Sequence, residues 1–298
     1  MNITFILKVN GLCWHSRFMA KSDLVLGAVG GYKWEQIQVW ALSLLASGFS
    51  GVGGIIVYDD NKDVIEKMTG LGFQVIRMPL KGSVFNQRFY DFATVINDEF
   101  RYVVVTDVRD VYFQKNPIEW LEENLEEGDF VATSEGLQYK NESWNADNLM
   151  AGFPDMYKRL KEKCVYNVGV LAGEAQAVSD LCFAIGSMAK SASFGVADQS
   201  GFNILLDLEP YKSHTHFVNS EDGFACQAGT FADPTKIDRF RQYLLEPEPK
   251  MDEEGIKTNG GKLYHIIHQY DRVPEWEAAI RKTLQSKLDA LNAKQNPE

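Results

Sequence analysis

The chain has 298 residues, 45% of them hydrophobic, with 30 basic against 41 acidic side chains and a formal net charge of −11. That is enough apolar residue to bury a sizeable core, which excludes a disordered chain, and 24 Gly beside 9 Pro exclude a collagen-like one. The acidic balance leaves no basic stripe for nucleic acid, so an anionic ligand must be held by a metal or a few placed cations.

Through the first half, short apolar runs alternate with helical periodicity. Asp23–Val29 (DLVLGAV) reads as a strand, and Lys33–Ser47 as a helix with Trp34, Ile37, Ala41, Leu44 and Leu45 on one stripe and Gly48 as its stop. Ile55–Tyr58 is a second strand. Asn61–Leu71 is a helix opened by an Asp-Asp-Asn cap signal and closed by Gly72, and Phe73–Arg77 is a third strand. Asn86–Ile96 is helical with Phe89, Phe92, Val95 and Ile96 inward, and Tyr102–Thr106 (YVVVT) is an almost wholly apolar strand. This alternation predicts an α/β fold with a mostly parallel sheet covered on both faces.

The second half is less regular. Phe130–Ser134, Tyr166–Ala172 and Tyr264–His268 are strand candidates; Ala175–Ser187 and Gln199–Leu208 are helix candidates. Residues 135–163 form a Trp/Tyr/Asn-rich stretch too long for an ordinary connection, which marks it as a functional or partner-facing segment. A last helix from Pro274 places Trp276, Ile280, Leu284, Leu288 and Leu291 on a narrow apolar face, with Arg281, Lys282 and Lys287 nearby. Docking on its own domain and peripheral membrane contact are both open to that face.

The chemistry gathers around YVVVTDVRDVYFQKNP. Asp107 ends the apolar strand, and Asp110 follows across Val108-Arg109. In a continuing strand the two carboxylates would face opposite ways; in a turn they converge. At the carboxyl edge of a parallel sheet, two such oxygen donors suit Mg²⁺ or Mn²⁺ and the phosphate oxygens it carries. The bland reading has the acids only capping a loop, with Arg109 as partner. Asn167, beside a glycine inside the apolar run YNVGVLAGE, predicts a bulge or a close ligand approach. In ADQSGFN, Asp198 and Gln199 stand at a helix start, where Asp198 alone reads best as an N-cap. In YHIIHQYDR, His265 and His268 face opposite ways, so one at most is a ligand; His268, at the strand end beside Asp271 and Arg272, is the better candidate.

Rival uses of an acidic strand end lack their patterns. GIKTNGGKL has Ile256 and Leu263 where a P-loop needs Gly and Ser/Thr, and GAVGGY (Gly27–Tyr32) does not fit GxGxxG. A phosphatase of the DxDx[TV] type fails on the spacing of Asp107 and Asp110.

Taken in order, GAVGGY, RFYDF, TDVRDVYF, YNVGVLAG, ADQSGFN and HQYDR resemble the nucleotide-sugar-dependent glycosyltransferases of the GT-A fold, over roughly Asp23 to Arg272. The resemblance implies a single domain over residues 1–298, with a Rossmann-like, mixed, mostly parallel central sheet flanked by helices and a C-terminal helix and tail over 274–298. It implies Mn²⁺ or Mg²⁺ on Asp107, Asp110 and His268, a variant of the family's DxD in which Arg109 stands where the second acid is usual. It further implies donor contacts from Gly27, Val29, Tyr32, Arg88, Asn167, Gln199 and Arg272. Asp198 and Glu135 are the catalytic candidates, as general base in an inverting enzyme or, for Asp198, as stabiliser of an oxocarbenium-like transition state in a retaining one. Arg88, opposite its helix's apolar stripe, either steers donor phosphate or sugar or is a solvated surface side chain. Trp144 and Tyr139 are candidates to stack on acceptor sugar.

The implied reaction moves a hexose or pentose from a nucleotide diphosphate, UDP being the expected nucleotide, to a saccharide or glycan acceptor. A sugar nucleotidyltransferase, which needs a GGxGTR-like loop absent from GAVGGYKW, and a non-catalytic nucleotide-sugar or glycan-binding module are the alternatives. Met1–Trp14 reads as a strand rather than a signal peptide, and Trp40–Tyr58 is too broken by glycine and serine to span a bilayer. Cys13, Cys164, Cys182 and Cys226 are scattered and read as reduced, buried thiols. A cytoplasmic, soluble protein is the expectation.

Overall fold

The computed structural model describes residues 21–192 and 195–295, with side chains as far as residue 289. The strand expected over Met1–Trp14, Cys13 and the side chain of Leu291 lie outside the described residues.

The first half alternates as the sequence predicts: β1 (Ser22–Val29), α1 (Trp34–Ala46), β2 (Val52–Val57), α2 (Lys62–Gly70), β3 (Gln74–Arg77), α3 (Val84–Val95) and β4 (Phe100–Thr106). β5 (Val111–Phe113), α4 (Pro117–Asn124) and β6 (Phe130–Gln138) follow, then α5 (Ser143–Gly152), α6 (Tyr157–Leu160) and β7 (Cys164–Glu174). The stretch 135–163 is therefore no open loop: the end of β6 and two helices fill it. Next come α7 (Ala175–Ser191), α8 (Asp198–Leu205), β8 (Thr215–Val218), β9 (Ala225–Gln227), α9 (Ala228–Phe231) and α10 (Ile237–Phe240). The hairpin β10 (Lys250–Asp252) and β11 (Gly255–Lys257), β12 (Ile266–His268) and α11 (Pro274–Gln295) complete the fold.

Seven strands form the central sheet in the order β3-β2-β1-β4-β7-β6-β8. Strands β1 to β4 are mutually parallel, β6 runs parallel to β8, and β7 alone opposes its neighbours β4 and β6. A three-stranded sheet, β5-β12-β9, stands beside it.

Burial explains the apolar runs. In β1, Val25 and Val29 face one core while Leu24, Leu26 and Ala28 face the other, the period-2 alternation of a strand covered on both sides. α1 fills the first core with Ile37, Trp40, Ala41 and Leu44; α3 and α7 fill the second with Phe89, Phe92, Val178, Leu181 and Ile185. Leu45, expected on the α1 stripe, is 40% exposed, and the ring of Trp40 takes the inward place. α11 docks on its own domain through Trp276, Ile280 and Leu284. Among the described residues no helix is long and apolar enough to cross a membrane.

Candidate metal centre and its cavity

The acidic motif breaks as a converging pair requires. β4 ends at Thr106, and the Asp107 N–H donates to the Gly169 carbonyl of β7 at 2.8 Å. The chain turns through buried Val108 and leaves along β5, which pairs antiparallel with β12 so that Val111 lies opposite His268. The Gln269 N–H donates to the Asp110 carbonyl at 2.6 Å; its φ of 59° is the one left-handed backbone of a non-glycine among the described residues. Two sheets thereby bring together three candidate ligands: one atom each from Asp107, Asp110 and His268 all lie within 4.8 Å of one another.

This donor set fits a divalent cation. Carboxylate oxygens and an imidazole nitrogen are ligands that divalent cations take. His268 Nε2 is buried without a hydrogen-bond partner among the described residues, 3.4 Å from Asp107 Oδ2 and 3.7 Å from Asp110 Oδ1. A buried imidazole nitrogen without a hydrogen-bond partner, set between two carboxylates, is an arrangement that a cation would complete.

The ring reaches this position because Gly169 sits beneath it, in a β7 segment where the pairing with β6 shifts register between Ala132 and Thr133. That is the irregularity Asn167 and its neighbouring glycine predict. Asn167 Oδ1 accepts from the Gly169 N–H at 2.7 Å and holds the bulge.

Arg88 is buried, so the solvated reading is corrected: its guanidinium pairs with Asp107 and, at 3.1 Å, with Asp198. Burial alone would raise the Asp107 carboxyl, but Arg88 and His268 hold it well below the usual carboxylate range. For Asp198, burial outweighs Arg88 and the pKa is raised. The N-cap reading of Asp198 is corrected as well, since Ala197 occupies the N-cap and Asp198 is the first helical residue.

Behind the acids lies an amide-lined carboxylate. Glu135 is buried and accepts from Asn167 Nδ2 at 2.7 Å, Gln199 Nε2 at 3.0 Å and Asn145 Nδ2 at 2.9 Å. Burial raises its pKa against the lowering effect of those amides.

Asp107, Asp110, His268, Arg88, Asn167, Asp198, Gln199, Glu135, Tyr32 and Arg272 all line one cavity of about 690 Å³. Gly27 and Val29 do not. A Cβ on Gly27 would overlap Val108 and stand 3.2 Å from the Trp40 ring, so this glycine serves packing, and Val29 is a core residue. Of the two aromatic candidates, Trp144 is 53% exposed at the cavity, whereas Tyr139 is 1% exposed in a separate apolar cluster and presents no stacking face.

Two polar residues of the site are not among those the sequence singles out. Asn145 lies in a helix with no motif to mark it. Gln227 sits inside the buried run FACQAG, and the signal it offers is an amide among small and apolar neighbours.

No protein-family pattern matches the chain, and no match is found among curated proteins. Solved structures do resemble it. Mouse xyloside xylosyltransferase 1, in its apo form, is similar at 14% identity over 83% of this chain and 96% of that one, with a TM-score of 0.49. The apo-form glycosyltransferase GlyE of Streptococcus pneumoniae TIGR4 is similar at 18% identity over 92% of this chain, with a TM-score of 0.53; the matched region spans 64% of GlyE. The likeness to GlyE shows the fold. This is a mixed α/β chain of GT-A-like architecture, with a seven-stranded, mostly parallel central sheet flanked by helices.

Proposed function

We propose that this chain is a metal-dependent glycosyltransferase that moves a sugar from a nucleotide diphosphate, UDP being the expected nucleotide, to a saccharide or glycan acceptor. One observation carries the reading: Asp107, Asp110 and His268 converge at the carboxyl end of β4, in the same cavity as Asn167, Asp198, Gln199 and Glu135. A site that had only to bind a nucleotide would have no need of buried carboxylates beside the metal ligands.

In this reading Asp107, Asp110 and His268 hold Mn²⁺ or Mg²⁺, which, when bound, neutralises charge on the diphosphate leaving group. Tyr32 and Arg272 line the nucleotide side. Arg88 fixes Asp107 and Asp198 relative to each other, so the ligand to the metal and the carboxylate near the sugar move as one unit. Asp198 sets negative charge beside the anomeric carbon as its bond to the diphosphate oxygen breaks. Asn167 and Gln199 orient the sugar and hold Glu135 Oε1, leaving Oε2 with the single amide of Asn145. That freer oxygen is the one placed to take the acceptor hydroxyl's proton as the hydroxyl oxygen bonds to the anomeric carbon. The raised pKa of Glu135 makes it a stronger base than an exposed glutamate.

A panel of nucleotide sugars scored by thermal shift with and without Mn²⁺ tests the reading, because a ligand of the native state raises its stability. Metal-dependent stabilisation by one donor, followed by release of its nucleoside diphosphate in the presence of saccharides, is the expected result. Binding without release, or no response to any donor, would overturn it.

A further inference from the structure

The geometry points to Gln227 as a positioning residue that fixes the ring of His268 with its proton on Nδ1 and its Nε2 lone pair turned to the cation. The inference rests on the metal-dependent reading above and concerns how this chain prepares its one imidazole ligand.

β9 and β12 run parallel, and their register sets Gln227 beside His268. Residues adjacent in register project to the same face of a sheet, and both side chains are wholly buried, at 0% and 1% exposure. His268 Nδ1 lies 2.7 Å from Gln227 Oε1, and Gln227 Nε2 donates to Thr133 Oγ1 of β6 at 2.8 Å. A carboxamide has one accepting and one donating end. With Nε2 donating to Thr133 in this structure, the end facing the imidazole accepts, so Nδ1 must donate and in the neutral ring Nε2 carries no proton. That nitrogen is the buried atom without a hydrogen-bond partner between Asp107 and Asp110. Burial keeps water from supplying either contact, so the amide decides.

A rotated amide would reverse everything. With Nε2 toward the imidazole, Nδ1 would accept, and a proton on the other ring nitrogen would point at the two carboxylates and close the site to metal. Thr133, whose hydroxyl accepts from Nε2 in this structure, is the partner at the far end of the amide. It stands on the central sheet, while Gln227 and His268 stand on the small one, so the three residues tie the two sheets at the metal. A hydrogen-bonded partner on the far nitrogen of a metal-binding imidazole sets both ring orientation and ligand basicity.

The test uses the full chain and Mn²⁺ alone, with no nucleotide sugar. Isothermal titration should show Gln227→Leu weakening Mn²⁺ binding about 10- to 100-fold. Gln227→Glu, which keeps an acceptor toward Nδ1 and can accept from the Thr133 hydroxyl, should stay close to the parental affinity. Histidine-labelled NMR of the Mg²⁺-loaded chain should place the His268 proton on Nδ1. Thermal melts of each metal-free variant separate loss of the ligand from loss of the fold. A proton found on Nε2, a Gln227→Leu protein that binds Mn²⁺ as tightly as its parent, or a parent that takes up no Mn²⁺ would each overturn the inference. Donor turnover, scored separately on the same samples, shows whether the glycosyl-transfer reading fails on its own.

Discussion

Gly169 lies so close beneath the His268 ring that a Cβ added there would stand 2.8 Å from Nε2, overlap Cε1 and meet Asn167 Oδ1 at 2.9 Å. Neither neighbour has room to yield, since both are buried and hydrogen-bonded. Gly169→Ala should displace the imidazole from the acids, abolish Mn²⁺-dependent stabilisation and cost about 1–3 kcal/mol of stability from overpacking. Urea unfolding with and without Mn²⁺ measures both; an unchanged metal response would contradict the placement of the ring.

Arg88 should be indispensable to the fold of the site. Its removal leaves the buried Asp198 and the part-buried Asp107 without their shared cation, and breaking a buried pair costs about 3–5 kcal/mol. Arg88→Met is expected to lose that much in chemical denaturation. Arg88→Lys should recover little, because a point ammonium cannot reach two carboxylates as a guanidinium fork does. Adding Asp198→Asn to Arg88→Met should restore part of the loss, and a strictly additive double variant would argue against the coupling.

His265 should make stability fall in mild acid. Burial is the main reason its pKa is lowered from 6.5 to about 4; Nδ1–H donates to the Asn116 carbonyl at 2.7 Å and Nε2 faces the Lys115 ammonium at 3.3 Å. The folded chain keeps the ring neutral where the unfolded chain protonates it. Between the unfolded and folded values the unfolded state therefore binds more protons, and stability present above the upper value is lost as pH falls through the window. The loss is at most about 3 kcal/mol. Unfolding free energies at the two ends of the window should differ less in His265→Asn than in the parent, and equal differences would remove His265 as the cause.

Trp144 should serve the acceptor alone. It stands at the cavity on α5, and Phe85, 44% exposed on α3, lines the same space. Trp144→Ala should raise KM for a saccharide acceptor while hydrolysis of the donor by water stays near the parental rate, because the loss is in acceptor binding. Steady-state kinetics of both reactions separate the two; an equal fall in hydrolysis would assign Trp144 to the donor or to packing.

The parallel half of the sheet was legible because each strand of β1 to β4 is a short apolar run between turn residues, and the helices between them carry a 3.6-residue stripe. The direction of β7 was not, since a strand buried on both faces reads the same either way. β5 and β9 have three residues each, too few to show a period, although β9 carries Gln227, whereas β12 was legible as the end of the run Tyr264–His268. The metal candidates could be found because carboxylates ending an apolar strand are conspicuous. Asn145 and Gln227 could not, because a buried amide becomes meaningful through the partner it meets, and that partner lies far away in the chain. Gly27 illustrates the opposite case, in which a glycine in a suggestive motif answers to the indole of Trp40.

The small sheet has two faces with different duties. Tyr112, Cys226 and Ile267 lie under Trp276, Ile280 and Leu284 of α11, while their neighbours Gln227 and His268 point the other way, to the acids. As the chain leaves a ribosome, Asp107 and Asp110 emerge more than half the sequence ahead of the imidazole they await and of the helix that backs it. The pocket therefore cannot be complete before β12 and α11 have been made, and until then Asp107 and Asp110 have Arg88 and Arg109 as partners but no imidazole.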